Sequence, residues 1–204
     1  MTDWINFLID GLYTGLNQIT WVEVVAFGFG VVSVWYEKQE NILVFPTGIV
    51  NVLLSVYVCL TVGLYADMGI NVYYFFMSIY GWINWTRKND GKKTLLVGYC
   101  NRNDRIIMMV LGGGSFLILL FGLTKFTDSD VAFWDSLTTA FFITAMWLLA
   151  EKKIENWYAW IIGNLISIPL YFSKGLVLFS FQYLIFLILA IMGLISWRKK
   201  AMGK

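Results

Sequence analysis

Apolar residues are gathered into seven long segments, separated by shorter stretches that hold most of the charged residues. The segments cover residues 20–36, 42–62, 70–86, 106–124, 133–150, 154–172 and 176–197. Each is close to the roughly 20 residues that a helix needs to cross a bilayer. Apolar runs of this length along most of the chain indicate an all-α polytopic membrane protein with seven transmembrane helices.

The first 18 residues form a shorter, amphipathic segment. Its apolar positions share one helical face and its polar positions lie elsewhere: Trp4, Phe7, Leu8, Leu12 and Leu16 against Asn6, Asp10 and Asn17. Because this stretch is too short to span a bilayer, we expect a helix lying in the membrane interface. The segment lacks the features of a signal peptide, so we expect the first apolar segment to stay in the mature protein.

The second half of the sequence repeats the first half after a shift of 112 residues. The matches include Trp35 with Trp147, Ser55 with Ser167, Gly63 with Gly175, Leu64 with Leu176, Gly81 with Gly193, Trp85 with Trp197 and Lys88 with Lys200. Trp and Gly landmarks at segment ends are harder to match by chance than aliphatic residues, so we predict a duplicated unit of three helices. The segment 106–124 lies between the copies, and both copies then run in the same direction, in a 3+1+3 plan.

Lys and Arg are concentrated on one side of the predicted membrane. That side holds Lys38, Arg87, Lys88, Lys92, Lys93, Arg102, Arg105, Lys152, Lys153, Arg198, Lys199, Lys200 and Lys204. The other side holds only Lys125 and Lys174. Since cytoplasmic loops carry the excess of basic residues, we predict an external N-terminus and a cytoplasmic C-terminus in the inner membrane.

Five parts of the chain follow from the segments, the repeat and the orientation. They are an N-terminal amphipathic interfacial segment (1–18), a first three-helix repeat (19–86), a cytoplasmic basic loop with the linker helix (87–130), a second three-helix repeat (131–198) and a cytoplasmic tail (199–204).

Composition excludes several kinds of chemistry. The chain has no His, which removes the commonest general base and the commonest metal ligand. Its two cysteines, Cys59 and Cys100, form neither a CxxC motif nor an evident disulfide pair. We therefore expect no catalytic site, no metal, no cofactor and no nucleic-acid partner.

The segment of residues 155–171 places polar and aromatic side chains on one helical face, namely Trp157, Trp160, Asn164, Ser167 and Tyr171. Asn164 lies about ten residues into the helix, or roughly 15 Å deep, near the middle of a bilayer. One interpretation is an amide that hydrogen-bonds a neighbouring helix, with the two tryptophans as interfacial anchors. The other is a binding site for a flat ring with hydrogen-bonding substituents. The residues alone leave both open.

Polar and aromatic residues at similar depth on other helices extend the candidate site: Asn51, Asn71, Tyr74, Trp82, Gln182 and Tyr183. Among acidic residues, Glu23 and Asp135 lie near the external start of their helices, where capping or solvation is favoured over proton coupling. No other charged residue is assigned to the middle of a span. We therefore expect no proton relay, no cluster of carboxylates for sodium and no buried cation for a phosphate.

Two motifs resemble the PnuC-type vitamin transporters: YYFFMSIYGWINW at residues 73–85 and ENWYAWIIGN at residues 155–164. The resemblance extends over about residues 20–198 and includes the 3+1+3 plan. That family is similar in architecture to the SWEET sugar transporters, with a different helix order in each repeat. The resemblance implies a substrate site between two three-helix bundles. Trp157, Trp160 and Asn164 match the family motif, whereas the other candidates rest on depth and face.

What the resemblance implies for function is facilitated diffusion of nicotinamide riboside, a precursor of NAD, followed by trapping through cytoplasmic phosphorylation. Thiamine or another nucleoside-like vitamin is the alternative substrate, since related members carry such molecules. A non-transport scaffold or a membrane enzyme is the alternative class. An enzyme would need clustered acid, base or nucleophilic groups, and a scaffold would need no deep polar stripe. The expected partners are the small-molecule substrate and the lipid bilayer; a homo-oligomer is left open.

Overall fold

The computed structural model describes residues 2–62, 65–87, 95–127 and 130–203. Within these ranges the fold consists of eight helices: α1 (Thr2–Gln18), α2 (Trp21–Gln39), α3 (Val44–Val62), α4 (Tyr65–Thr86), α5 (Arg102–Phe126), α6 (Ala132–Ala150), α7 (Glu155–Ser173) and α8 (Val177–Ala201). Helices α2 to α8 fall on the seven apolar segments, and α1 falls on the amphipathic segment. The predicted all-α class is confirmed.

Not every helix is apolar enough to pass a simple test for membrane spans. In the described ranges, four helices are long and apolar enough to cross a membrane. Helices α1 and α2, which are bent by 107° relative to each other, would together count as a fifth span. The four are α3, α5, α6 and α8. Helix α7 falls short because it carries buried polar residues such as Asn156, Asn164 and Ser167 along its length.

Two helix starts are fixed by reciprocal capping. In α2 the Thr20 hydroxyl accepts from the Glu23 backbone N–H at 3.3 Å, and the Glu23 carboxylate accepts from the Thr20 N–H at 2.7 Å. Asn101 and Asp104 form the same arrangement at the start of α5. Capping boxes satisfy N–H groups that have no partner within the helix. Of the two roles expected for Glu23, capping or solvation, the structure shows capping.

The helices form two bundles, α2–α4 and α6–α8, joined by α5. Helix α2 packs against α8, and α4 packs against α6. These two contacts are equivalent when the repeats are exchanged, which is the relation expected of parallel repeats about an axis along the membrane normal. Helix α5 packs on α6 and has no buried residue, so it lies at the periphery of the bundle.

Hydrogen bonds between the bundles follow the same symmetry. The Trp85 indole Nε1 donates to the Leu149 carbonyl at 3.2 Å, and the Trp197 Nε1 donates to the Glu37 carbonyl at 2.9 Å. Trp85 and Trp197 are a pair under the 112-residue shift, and so are Glu37 and Leu149. The matched tryptophans therefore tie each repeat to the other.

The turns after α2 and α6 also match. Glu40 and Lys152, a third pair under the shift, both have left-handed backbone, with φ of 60° and 51°. Their side chains form an ion pair at 2.8 Å, and Lys200 joins it at 3.1 Å from Glu40. Other sequence matches and basic residues lie outside the described residues: Gly63, Leu64, Lys88, Lys92, Lys93 and Lys204.

Large side chains fill the space between the bundles beside these turns. The core cluster includes Phe45, Trp85, Leu149, Trp157 and Trp197. The segment before α5, which contains Gly98, covers this core cluster. It is held there because the Ile154 N–H donates to the Gly98 carbonyl at 2.9 Å. The bundle is thus tightly packed at its turn end.

Candidate functional site

A cavity of about 600 Å³ lies between the two repeats. Side chains from both bundles line it. At one end, which we call the rim, the lining includes Asp67, Asp135 and Lys174. At the other end, which we call the floor, it includes Glu37, Leu149 and Trp157. Leu149 and Trp157 also belong to the core cluster, so the floor rests on tightly packed residues.

Helix α7 supplies the face predicted from the sequence. Trp157, Trp160, Asn164 and Tyr171 line the cavity, as the spacing of three and four residues requires. Asn164 is only 3% exposed, so its amide sits deep between the bundles. Ser167, also on the predicted face, is fully buried outside the lining, and its hydroxyl has no hydrogen-bond partner among the described residues.

A row of aromatic rings forms one wall. Trp160 lies 5.5 Å from Phe142 between ring centroids, Phe142 is stacked parallel to Tyr183 at 6.1 Å, and Tyr183 lies 4.9 Å from Tyr171. Phe142 packs against the bare backbone of Gly163, where a Cβ atom would overlap its ring. The wall is suited to planar apolar rings.

Trp157 does not belong to that wall. Its side chain is fully buried, its ring meets Trp197 edge to face at 5.5 Å, and it covers the space left by Gly193. Trp157 and Trp160, which share the predicted face of α7, therefore do not form a pair of open ring surfaces around the cavity. Trp157 is buried because the first turn of α7 packs against α8.

Amide and hydroxyl groups from other helices complete the lining with Asn51, Tyr74, Gln182 and Tyr183. The Asn51 amide donates to the Ala26 carbonyl at 2.6 Å, which joins α3 to α2. Asn51 therefore bridges two helices as well as facing the cavity.

Two predicted site residues lie away from the lining, Asn71 and Trp82. The Asn71 amide donates to the Asp67 carbonyl of its own helix at 2.9 Å, and Trp82 is 40% exposed. On α4 the cavity meets Asp67, Ile70, Tyr74 and Ser78. A step of four residues rotates a side chain by about 40°, so Trp82, four residues beyond Ser78, turns out of the site.

Glu37 is the most important residue that sequence reasoning missed. It is 3% exposed and lines the cavity floor. The apolar pattern predicts that the first span ends at residue 36, whereas α2 continues to Gln39. Gly30, Val34 and Glu37 lie on one face at steps of four and three, and this spacing could have revealed the carboxylate. Glu37 lies in the last turn of α2, so it does not contradict the expectation that no other charged residue occupies the middle of a span.

The rim is also charged. Asp135 forms an ion pair with Lys174 at 3.3 Å, and Asp67 is close enough to interact electrostatically with both. The apolar segments predict Asp67 before the third span and Lys174 in the loop between the last two spans. The fold brings them together because α4, α6 and α7 all have an end at the rim.

A central cavity between parallel three-helix repeats of apolar helices is the arrangement of a membrane transporter. The chain matches the family described as Nicotinamide mononucleotide transporter over residues 20–199. It belongs to that family. The predicted resemblance is confirmed, and the function is transport rather than catalysis.

Individual relatives agree with this assignment. The chain is 25% identical over 218 aligned residues to the nicotinamide riboside transporter PnuC of Escherichia coli K12, covering 92% of this chain and 89% of the relative. It is 27% identical over 129 residues to the riboflavin/roseoflavin transporter RibM of Streptomyces davaonensis, covering 59% of this chain and 58% of the relative. The crystal structure of the vitamin B3 transporter PnuC has the same fold, with a TM-score of 0.71, 21% identity and coverage of 98% and 90%.

Proposed function

We propose that this protein carries nicotinamide riboside across the inner membrane by facilitated diffusion. The observation that supports the proposal best is the cavity of about 600 Å³, lined by an aromatic row and deep amides, in a chain aligned over 92% of its length with a nicotinamide riboside transporter. Cavities of this volume hold a ligand of nucleoside size. The nicotinamide ring would lie against Trp160 and Phe142.

The ribose hydroxyls would be bound by the amides. Asn164 and Gln182 both line the cavity. Among the described residues, the Asn51 side chain bonds through its nitrogen to the Ala26 carbonyl, and its oxygen would bind the ligand. An amide offers both donor and acceptor groups to a hydroxyl. The proposed substrate-binding set is therefore Trp160, Asn164, Asn51, Tyr74, Gln182 and Tyr183, with the edge of Trp157 at the floor.

Net uptake would come from trapping by a cytoplasmic kinase rather than from an ion gradient. In the described part of the chain, no three His, Cys, Asp or Glu side chains cluster to hold a metal ion. The chain would sit with its N-terminus outside and its C-terminus in the cytoplasm, following the distribution of Lys and Arg. The five parts proposed from the sequence would keep their roles, with α1 lying in the interface.

Riboflavin is the second candidate, because RibM matches part of this chain and because an aromatic wall also suits a flavin ring. Thiamine is the third. All three are planar vitamins with polar substituents, so the wall by itself does not separate them.

Parallel titrations of the purified protein with nicotinamide riboside, thiamine and riboflavin would test the proposal. We expect the tightest binding for nicotinamide riboside, with the other two at least tenfold weaker. Tighter binding of riboflavin would replace the substrate and keep the site. No binding of any of the three would reject the proposed function.

A further inference from the structure

The two halves of the cavity have different linings, although they come from matching repeats. Under the 112-residue shift, Gly30 matches Phe142 and Gly48 matches Trp160. All four residues line the cavity. The second repeat therefore places two aromatic rings at the positions where the first repeat has glycines, and these glycines leave a corner of the cavity open.

Polar groups border this corner. A Cβ atom on Gly48 would lie 3.1 Å from the Ser33 Oγ and 3.9 Å from the Ser78 Oγ. Both serines line the cavity, and they belong to different helices, α2 and α4. At Gly30, one turn before Ser33, a Cβ atom would lie 3.2 Å from the Asn51 amide nitrogen. The open corner is therefore surrounded by hydrogen-bonding groups.

The matching corner of the second repeat has no such groups. Each of the three polar residues is matched there by a residue without a hydrogen-bonding side chain: Ser33 by Ala145, Asn51 by Gly163 and Ser78 by Ala190. At this level of the cavity, one half thus presents rings and the other presents hydroxyl groups and an amide. This division suits a ligand that has a planar ring at one end and hydroxyl groups at the other.

The two serine hydroxyls differ in the hydrogen bonds that they can still form. The half-buried Ser33 hydroxyl donates to the Val44 carbonyl at 2.8 Å, so its lone pairs remain to accept a hydrogen bond. Ser78 is only 2% exposed, and in the described part of the chain its hydroxyl has no hydrogen-bond partner. A buried hydroxyl that lines a cavity without a partner is a candidate for a contact with the ligand.

We infer that Ser33 and Ser78 bind a hydroxyl group of the substrate in the corner left open by Gly48. The Ser78 hydroxyl donates to the substrate oxygen, and the substrate hydroxyl donates to Ser33. The planar ring lies in the opposite half, against Trp160. The substrate class is a flat ring that carries a sugar or a hydroxylated chain. This inference rests on the proposed function and adds Ser33, Gly48 and Ser78 as residues that determine specificity.

The test is a double-mutant cycle in which one change is made in the ligand. Nicotinamide riboside and its 2′-, 3′- and 5′-deoxy forms are titrated into the purified protein. For one of the three positions, wild type should bind the deoxy form about fivefold more weakly, which is the usual size of one neutral hydrogen bond. In Ser78→Ala and in Ser33→Ala that difference should fall to about twofold or less, because the substrate hydroxyl has lost a partner.

Gly48→Ala tests the corner itself. The added methyl group would occupy the place expected for the substrate hydroxyl, so the riboside should lose at least about fivefold in affinity, and more than the deoxy form loses. Gly28→Ala is the matched control, because a Cβ atom on Gly28 meets nothing within 4 Å. Ser55→Ala removes a hydroxyl that donates to the Asn51 carbonyl of its own helix, outside the cavity lining. Both controls should keep the wild-type affinity and the wild-type difference between ligands.

A thermal melt checks that each variant folds, and the serine variants decide the outcome if Gly48→Ala does not. A difference that persists at full size in either serine variant, or equal affinity of wild type for all four ligands, would overturn the inference and leave the proposed function in place. If wild type binds riboflavin and not nicotinamide riboside, riboflavin and lumiflavin, which lacks the ribityl chain, are compared in the same cycle. Binding of none of these ligands would reject both the proposed function and the inference.

Discussion

Two glycines, Gly163 and Gly193, shape the cavity because they have no side chain. Gly163 has no Cβ, and this lets Phe142 approach α7 and extend the aromatic row beside Trp160. Gly193 also has no Cβ, and this leaves room for the Trp157 indole to pack in the core. Two tryptophans three residues apart on one helix therefore have different roles: Trp157 supports the floor, and Trp160 faces the ligand.

We predict that Trp160→Ala or Asn164→Ala weakens binding of nicotinamide riboside at least fivefold, which corresponds to about 1 kcal/mol or more for a lost ring contact or a lost amide contact. Affinity is measured by titration in detergent, with a thermal melt to check folding.

Helix α4 provides matched controls for these substitutions. Trp82→Ala and Asn71→Ala remove the same types of side chain from outside the cavity and should leave affinity within about twofold, since surface substitutions rarely exceed 0.5 kcal/mol. Equal losses in the controls and in Trp160→Ala and Asn164→Ala would argue against the assigned site.

At the scale of helices, the repeats are held together where their turns meet. The Glu40 carboxylate contacts both Lys152 and Lys200, and the Lys152 ammonium also lies 4.3 Å from the centroid of the Trp85 ring. Burial raises the pKa of Glu40, but the hydrogen bonds and charges of the two lysines outweigh it and hold that pKa below its usual value of 4.5. The pair therefore favours the folded state at neutral pH.

Glu40→Gln should lower the free energy of unfolding at pH 7 by about 1–3 kcal/mol, because Lys152 is left buried without a counter-charge. The contribution of the ion pair is fully present above pH 4.5, the usual pKa, and is lost as pH falls through the lowered folded value. Thermal melts of wild type and variant should therefore converge once the pH falls below the lowered folded pKa of Glu40. Asp10→Asn, at an exposed position of α1, is the control and should melt like wild type at pH 7. A variant as stable as wild type at pH 7 would contradict this prediction.

For the whole molecule, the first prediction concerns orientation. Leu96→Cys, on a residue that is 78% exposed, should react with an impermeant thiol reagent only after cells are permeabilised, whereas Thr127→Cys should react in intact cells. The native cysteines are buried, and burial together with Glu155 raises the pKa of Cys100 to about 12, so background labelling should be slow. The opposite labelling pattern would reverse the topology.

The second prediction for the whole molecule concerns energy coupling. In sealed vesicles that contain only the purified protein, uptake of nicotinamide riboside should stop when the two concentrations are equal, with or without a proton or sodium gradient. Glu37 makes this test necessary, because a carboxylate at the floor is a group that a proton-coupled transporter could use. Accumulation driven by either gradient, with no membrane potential, would contradict facilitated diffusion.

Flux of the mononucleotide in the same vesicles tests charge selection. Its phosphate would bring about two negative charges near Glu37, at a desolvation cost of several kcal/mol, so we expect at least about tenfold slower flux. Riboside and mononucleotide moving at similar rates would reject trapping by phosphorylation.

The sequence by itself determined the all-α fold, the seven apolar segments, the 3+1+3 repeat and the polar face of α7. These features follow from local periodicity, helix length and similarity between segments, which a chain displays without its neighbours. Tertiary structure decided which polar residues meet. Trp82 lies outside the cavity, Trp157 is buried in the core, and Phe142 belongs to the aromatic row. Glu37, which was expected in a loop, lies at the cavity floor. Each outcome depends on the rotation of a helix against its neighbours. Within the second repeat, that rotation is set by the close packing of Gly163 against Phe142 and of Gly193 against Trp157, and depth along a single helix does not reveal it.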